Sequence, residues 1–365
     1  MKNQGLFLIH LRGPINGAKV VSRIIHNNLK ENYTFIDIAS DNNERSTPGK
    51  FEAEKLFEGL IYTIRIFKSF ITEKPKFIYF SFTPTGFAKL RDYAISIGLN
   101  LLGAKRIIYH FHAEFDLNKK PNLVDRFIFR NAEAICINPS HSRRIHQQTT
   151  IKEKNIHTIP NRILDRNEFN SRDFNYLIKR RLFSKKINIL FFSNLTFGKG
   201  AEIAIEAFFK LKIKYQNATL TIAGKPLDPI YVNTLKSLCN REPEYAKDIN
   251  FFGAVSKEDK YTIFRDASIF LFTSELIETF GLVNLEALSY GLPIVSLRTP
   301  ASHYFIEDGR NGFIADSIGE VSEKLEILVD SAQLRRKMMS ESIVKCQSFF
   351  IENFILEIKN AIDPQ

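Results

Sequence analysis

The chain has 365 residues, 44% hydrophobic and 25% charged, with 51 Lys and Arg against 40 Asp and Glu for a net charge of +11. That length exceeds one ordinary core and suits two α/β domains, and the composition excludes wholesale disorder. Cys136, Cys239 and Cys346 lie far apart with no Cys-x-x-Cys pair, which excludes a disulfide framework or a zinc knuckle and points to a reducing compartment.

The first apolar run, GLFLIHL (5–11), falls far short of a membrane span, and GLIYTIRIFKSFI is broken by Arg65 and Lys68, so the expectation is a cytoplasmic chain, soluble or peripheral at the inner face of the membrane. GLFLIHL is followed by four more short β-rich runs: NYTFIDIA (32–39), KFIYFSF (76–82), RIIYHFH (106–112) and AICINP (134–139). Helical spacing fills most of the gaps between them, as in FAKLRDYAISIGLNLLG (87–103), which stops at Gly103. Strand alternating with helix implies a parallel sheet covered on both faces. After a polar stretch the pattern restarts with INILFFSN (187–194), ATLTIAG (218–224), INFFGA (249–254), ASIFLFTS (267–274) and PIVSL (293–297). The boundaries expected are a Rossmann-like acceptor-binding domain over 1–168, a linker over 169–186, a second Rossmann-like domain over 187–345, and a terminal helix over 346–365 that packs back on the first. Two such sheets would face a cleft, with ligands outside the carboxyl ends of the strands.

Charge is unevenly shared. Residues 1–168 hold 26 Lys and Arg against 16 Asp and Glu, or +10, and the remainder is close to neutral. A basic half suits an anionic membrane or a phosphate-bearing acceptor, and equally a plain solvated surface. Lys105, Arg106, Lys119, Lys120, Arg126 and Arg130 cluster around NKKPNLVDRFIFR, where Leu123, Phe127 and Phe129 could enter a lipid interface, although the two phenylalanines read better as core residues of the first domain. Basic residues interleaved with exposed aromatics, the mark of a nucleic-acid binder, do not occur.

The string ELIETFGLVNLEALSYGLPIV (275–295) begins where the strand ASIFLFTS ends. Thr279, Phe280 and Gly281 would open a helix whose free N–H groups suit a diphosphate. Glu278 and Glu286 stand eight positions apart, one at the turn and one about two helical turns on. One carboxylate can meet a sugar and the other a ribose diol. In YHFHAEF (109–115), His110 and His112 share one face of a strand. They are site candidates or a satisfied structural pair, and no third ligand with local metal spacing accompanies them.

These strings resemble the retaining glycosyltransferases of family 4, which have the GT-B fold. ETFGLVNLE is similar to their E-x7-E signature, and ILFFSNLTFGKGAEIAIEAF (189–208) to their strand, phosphate loop and helix. LTIAGKP, FFGAVSKED and EDGRNGFI follow in the family's order. The resemblance implies that Lys199 contacts the diphosphate, with Asn194 standing where an arginine is common. It places Gly17, Gly224, Ala254, Val255, Thr279, Phe280, Gly281 and Leu282 along the donor, puts Glu286 on the ribose, and gives His112 and Glu278 the transferred sugar. Asn161, in TIPNRI, resembles a proline-asparagine turn near the cleft, with Arg162 where glycine is frequent.

The implied activity is retaining hexosyl transfer from a UDP- or GDP-linked sugar to a hydroxyl of a saccharide or lipid-linked saccharide, in envelope or capsular polysaccharide or glycolipid synthesis. Neither cofactor nor metal is expected, since Lys199 and helix amino ends can stabilise a diphosphate. The rivals are a nucleotide-sugar epimerase or inverting GT-B transferase and, further off, a noncatalytic nucleic-acid-binding protein.

Overall fold

A computed structural model describes residues 5–13, 16–39, 53–113, 115, 119–276 and 280–363. The chain divides into two compact units, Met1–Ile163 with Ile351–Gln365, and Leu164–Phe350.

The first unit is built on six parallel strands: β1 Gly5–Ile9, β2 Thr34–Asp37, β3 Phe77–Phe82, β4 Ile107–Phe111, β5 Glu133–Cys136 and β6 Ile156–Thr158, in the order β2-β1-β3-β4-β5-β6. Alternation along β1 explains why it is central: Leu6 and Leu8 pack with Ile78, Phe80 and Tyr109 on one face, Phe7 and Ile9 with Tyr79, Ile108 and Ile135 on the other. Each fully buried Leu or Phe contributes about 1.5–3 kcal/mol. The helix Ile351–Ile362 covers the second face through Phe354, Ile355, Ile358 and Ile362. Its last turn is held by Arg106, which donates to the Ala361 carbonyl at 2.8 Å and to Glu133 at 2.9 Å, satisfying a helix end that has no partner of its own.

The second unit repeats the architecture with β7 Ile187–Phe192, β8 Ala218–Ala223, β9 Ile249–Gly253, β10 Ile269–Phe272, β11 Ile294–Leu297 and β12 Gly312–Ala315, in the order β12-β11-β10-β7-β8-β9. Strand order reverses between β7 and β10 here, and between β1 and β3 in the first sheet.

Two sequence expectations change. Residues 169–186 are not a linker: they carry the end of helix Arg166–Asn170 and the whole of helix Phe174–Leu182, and lie inside the second unit. Their polar composition misleads because burial proceeds through hydrogen bonds. Arg181 is buried, donating from Nη1 to the Tyr290 carbonyl at 2.7 Å and from Nη2 to that of Phe264 at 3.0 Å, and Arg172 stacks on the Tyr290 ring at 4.4 Å. The terminal helix begins at Ile351, since Ala332–Cys346 is a separate helix of the second unit.

The basic stretch around Leu123 divides between core and surface. Phe129 is a core residue, Phe127 is half-buried beneath Arg130 with 4.9 Å from guanidinium to ring, and Leu123 alone of the three is strongly exposed, at 82%. Lys119 is spent on Asp125 at 2.9 Å, and Arg106 on Glu133.

Candidate active site

At the carboxyl edge of the second sheet, the loop after β7 and the loop after β10 are laced together where the strand order reverses, the position at which open α/β sheets bind ligands. The Glu275 N–H donates to the Gly198 carbonyl at 2.9 Å, and Thr273 Oγ1 donates to that of Gly200 at 2.6 Å. Lys199 sits between two left-handed glycines, Gly198 at φ 81° and Gly200 at φ 82°. A Cβ on Gly200 would stand 1.9 Å from the Thr273 carbonyl oxygen, so the close approach admits only glycine. Gly200 also caps the helix Ala201–Lys214, directing Lys199 and the first free amides of that helix to one edge. Asn194, in the same loop, is exposed.

Gly224 follows β8, and its Cβ would meet the Ser193 carbonyl at 1.7 Å; its requirement is the packing of two loops. After β9, Ala254 is exposed and Val255 half-buried, just before the helix Lys257–Asp266 that Ser256 and Asp259 cap reciprocally. Glu278 and Thr279 lie outside the described residues. Phe280 is buried, with its ring 4.8 Å from that of Phe305, so its side chain belongs to the core and only its backbone is available to a ligand. Gly281, at φ 74°, caps the helix Leu282–Ser289, and Leu282 is half-buried. Glu286 on this helix is half-buried and bonded through Oε1 to Lys260 Nζ at 2.7 Å. Lys260 escapes a reading of the sequence because it lies on another helix, 26 positions away.

In the first unit the sites again follow strand ends. Gly17 opens the helix Gly17–Leu29 after β1, and Asn16 caps it by accepting from the Lys19 N–H at 3.0 Å. Asn161, beyond β6, is buried, and its Oδ1 has no partner among the described residues.

The densest chemistry surrounds the end of β4. The His110 and His112 ring centroids lie 4.0 Å apart with the planes tilted by 37°, on one face of the strand. His110 Nδ1 is hydrogen-bonded to the Tyr79 hydroxyl. Burial raises the Tyr79 pKa, so that hydroxyl stays protonated at neutral pH. Both ring nitrogens of His112 are buried without a hydrogen-bond partner among the described residues, a costly state unless a ligand group meets them.

Two histidines that no local motif singles out complete the cluster. His141 donates from Nε2 to the Ala113 carbonyl at 3.2 Å while its Nδ1 accepts from the Ile137 N–H at 3.3 Å, pinning the residue next to His112. His10, at the end of β1, donates from Nε2 to the Ser81 carbonyl at 3.1 Å. Burial, aided by neighbouring histidines, pushes His112 down to about 3, and burial likewise lowers His10 and His141 to about 4. His110 is lowered too, first by burial. The cluster is neutral at neutral pH, so His112 presents one donor and one acceptor. Among the described residues, no group of three or more His, Cys, Asp or Glu is placed to hold a metal ion.

Comparisons with known proteins bear on this arrangement. Residues 175–343 match the family model for glycosyl transferases group 1. An uncharacterized glycosyltransferase of Haemophilus influenzae is 24% identical over 273 residues, 73% of this chain and 72% of its own. The alpha-monoglucosyldiacylglycerol synthase of Acholeplasma laidlawii is 30% identical over 122 residues, covering 33% of this chain and 29% of the synthase. The crystal structure of Anabaena HepE in complex with UDP matches at a TM-score of 0.78 over 100% of both chains with 17% identity, a likeness of fold.

Proposed function

We propose that the chain, a glycosyltransferase of the GT-B type, moves a hexosyl group, with retention of anomeric configuration, from a UDP- or GDP-linked sugar to a hydroxyl acceptor. The observation that carries this reading is the laced pair of loops at the reversal between β7 and β10, which brings Lys199 and the amino end of the Leu282–Ser289 helix to one edge. Anabaena HepE was solved with UDP, which supports a nucleotide diphosphate as the occupant.

In the proposed step the bond from the anomeric carbon to the diphosphate oxygen breaks as the bond to the acceptor oxygen forms on the same face, and the acceptor proton passes to the departing diphosphate. Lys199 and the helix amides offset the charge that develops there. The amides take over what Asn194, an uncharged residue, leaves undone. Glu286 accepts from the ribose diol, and neutral His112 donates to and accepts from sugar hydroxyls. Glu278 is proposed to share the sugar contact with His112.

No divalent ion enters this scheme. Titration with UDP and GDP in the presence of chelator is expected to show binding by the native chain. Lys199→Ala should weaken it about 10–100-fold, the loss of one charge-assisted hydrogen bond. Binding that requires magnesium or manganese, or that ignores the lysine, would contradict the donor site.

A lipid-linked saccharide is the proposed acceptor, in envelope or capsular polysaccharide or glycolipid synthesis, and the first unit has a face suited to an anionic bilayer. On the helix Ala53–Glu73, Leu60, Ile61, Ile64 and Ile71 stand 45–57% exposed beside Arg65 and Lys68, while Tyr62 and Ile66 turn into the core. Leu90 and Leu101 are likewise exposed on the helix Gly86–Leu101, and Leu123 near Arg126. The acids Asp92 and Asp125 are buried and paired with Arg91 and Lys119, which leaves cations beside the exposed aliphatics. A partly buried apolar face with surrounding cations is the pattern of an interfacial helix.

The whole chain should co-sediment with anionic but not neutral liposomes, lose that binding as salt rises, and bind more weakly as Ile64→Ser. Binding indifferent to lipid charge and to Ile64, or concentration-dependent self-association through this face, would overturn the membrane assignment.

A further inference from the structure

The pairing of Lys260 with Glu286 has a meaning beyond the two loops. Glu286 sits one helix away from the strand ends, half-buried, and its Oε1 is held by Lys260 Nζ at 2.7 Å, with side-chain exposures of 34% for the lysine and 25% for the glutamate. Its Oε2 makes no hydrogen bond with the described residues. The lysine is restrained on a second side, since its ammonium lies over the Phe192 ring at 5.5 Å from the centroid, and Phe192 closes β7 at the candidate site. Lys260 stands in the first turn of the helix Lys257–Asp266, whose start is fixed by the reciprocal Ser256–Asp259 cap directly after Val255. A free lysine samples many rotamers, and holding one in a single partly exposed geometry adds little to stability. The arrangement instead orders the carboxylate and offsets its charge, where an unpaired carboxylate would repel an incoming diphosphate.

We infer that Lys260 is a positioning residue for the donor nucleotide: it fixes Glu286 Oε1 so that Oε2 faces the ribose diol, and it offsets the carboxylate charge beside the nucleotide diphosphate. The inference rests on the reading of Glu286 as the ribose acceptor. A ribose that donates two hydroxyl protons gains most from a carboxylate whose plane is already set, because binding then orders fewer side chains. Without the lysine the carboxylate rotates and its charge stands uncompensated. The loss falls on nucleotide affinity, leaving the chemical step itself untouched.

The test is calorimetric titration of the full chain with UDP or GDP, whichever the native protein binds, and with its 2′-deoxy counterpart. Lys260→Met is expected to raise Kd for the ribonucleotide about 5–10-fold, in the range of one ordered charged contact. It should narrow the preference over the deoxynucleotide, raise the KM for the nucleotide sugar in step, and leave kcat and thermal midpoint near native. Lys260→Arg should restore much of the affinity. In a Glu286→Gln background, Lys260→Met should add little, because the lysine acts through that carboxylate.

Native-like binding by Lys260→Met alongside weakened binding by Glu286→Gln would overturn the role of Lys260 and leave the ribose reading standing. Full additivity of the two substitutions would also overturn it, since the lysine would then act on the nucleotide independently. Native-like binding and undiminished ribose preference in Glu286→Gln would remove the ribose reading itself.

Discussion

His112→Ala is expected to lower kcat by about 10²–10³-fold, equivalent to about 2.7–4 kcal/mol of transition-state stabilisation, while UDP or GDP affinity stays near native. The expectation follows from the state of the imidazole. Both nitrogens are buried and unpartnered among the described residues, the ring packs against His110 at 4.0 Å between centroids, and the following carbonyl, that of Ala113, is pinned by His141. A group held so closely with its hydrogen-bonding capacity unused is preorganised for a ligand, and its contribution is largest where charge develops on the sugar. His112→Asn, which retains one donor and one acceptor, should recover part of the rate. A native kcat in His112→Ala, with circular dichroism unchanged, would remove the residue from the chemistry.

The same cluster makes the first unit acid-sensitive. His10, His112 and His141 lie near 4, 3 and 4 when folded, against an ordinary 6.5. Their folded values are lowered, so the unfolded chain takes up protons first as pH falls. Stability from this source is complete above about pH 6.5 and drains away between about 6.5 and 3. A tenfold difference in proton affinity between the unfolded and folded chain corresponds to about 1.4 kcal/mol. Because the groups are neighbours, their contributions do not simply add.

A loss of at least about 3 kcal/mol by pH 4.5 is expected from the three lowered histidines. Glu133 acts in a lower window: despite the burial that would raise it, bonds from Arg106 and His157 hold it down to about 2, so its contribution fades only as pH falls below about 4.5. Amide hydrogen exchange of the intact chain, corrected for intrinsic rate, should show β1 and β4 losing protection between pH 7 and 4.5. Protection in those strands that is constant or increasing over that range would contradict the neutral buried cluster.

The sequence is legible where periodicity and turn chemistry are strong. The ten strand runs correspond to ten of the twelve strands, and the turn-then-helix pattern after β7 and β10 correctly marks a sheet edge. The strand β6, of three residues, is too short to express a period, while β12, Gly312–Ala315, is no shorter than β2, β5, β10 or β11 and hides because its apolar run begins directly after the turn residues of EDGRN. Residues 169–186 read as a linker because Arg181 and Arg172 are buried by carbonyl bonds and ring stacking rather than by an apolar stripe.

At the site, Lys199 and Glu286 can be found from local strings, but their surroundings cannot. The Lys260–Glu286 pair joins two helices. The residues around the His110–His112 pair come from the end of β1, the middle of β3 and a helix after β5, a convergence that the fold creates and no local spacing records. The motif assigns Phe280 a backbone role along the donor, and the fold adds that its side chain fills the core against Phe305.

The central claim is retaining transfer from a nucleotide-diphosphate sugar, and the most direct measurement is the anomeric configuration of the freshly formed product by proton NMR, with an α-linked UDP- or GDP-hexose as donor and chelator present. The account predicts an α-linked product accompanied by release of the nucleoside diphosphate. A β-linked product, formed under the same conditions, would contradict it.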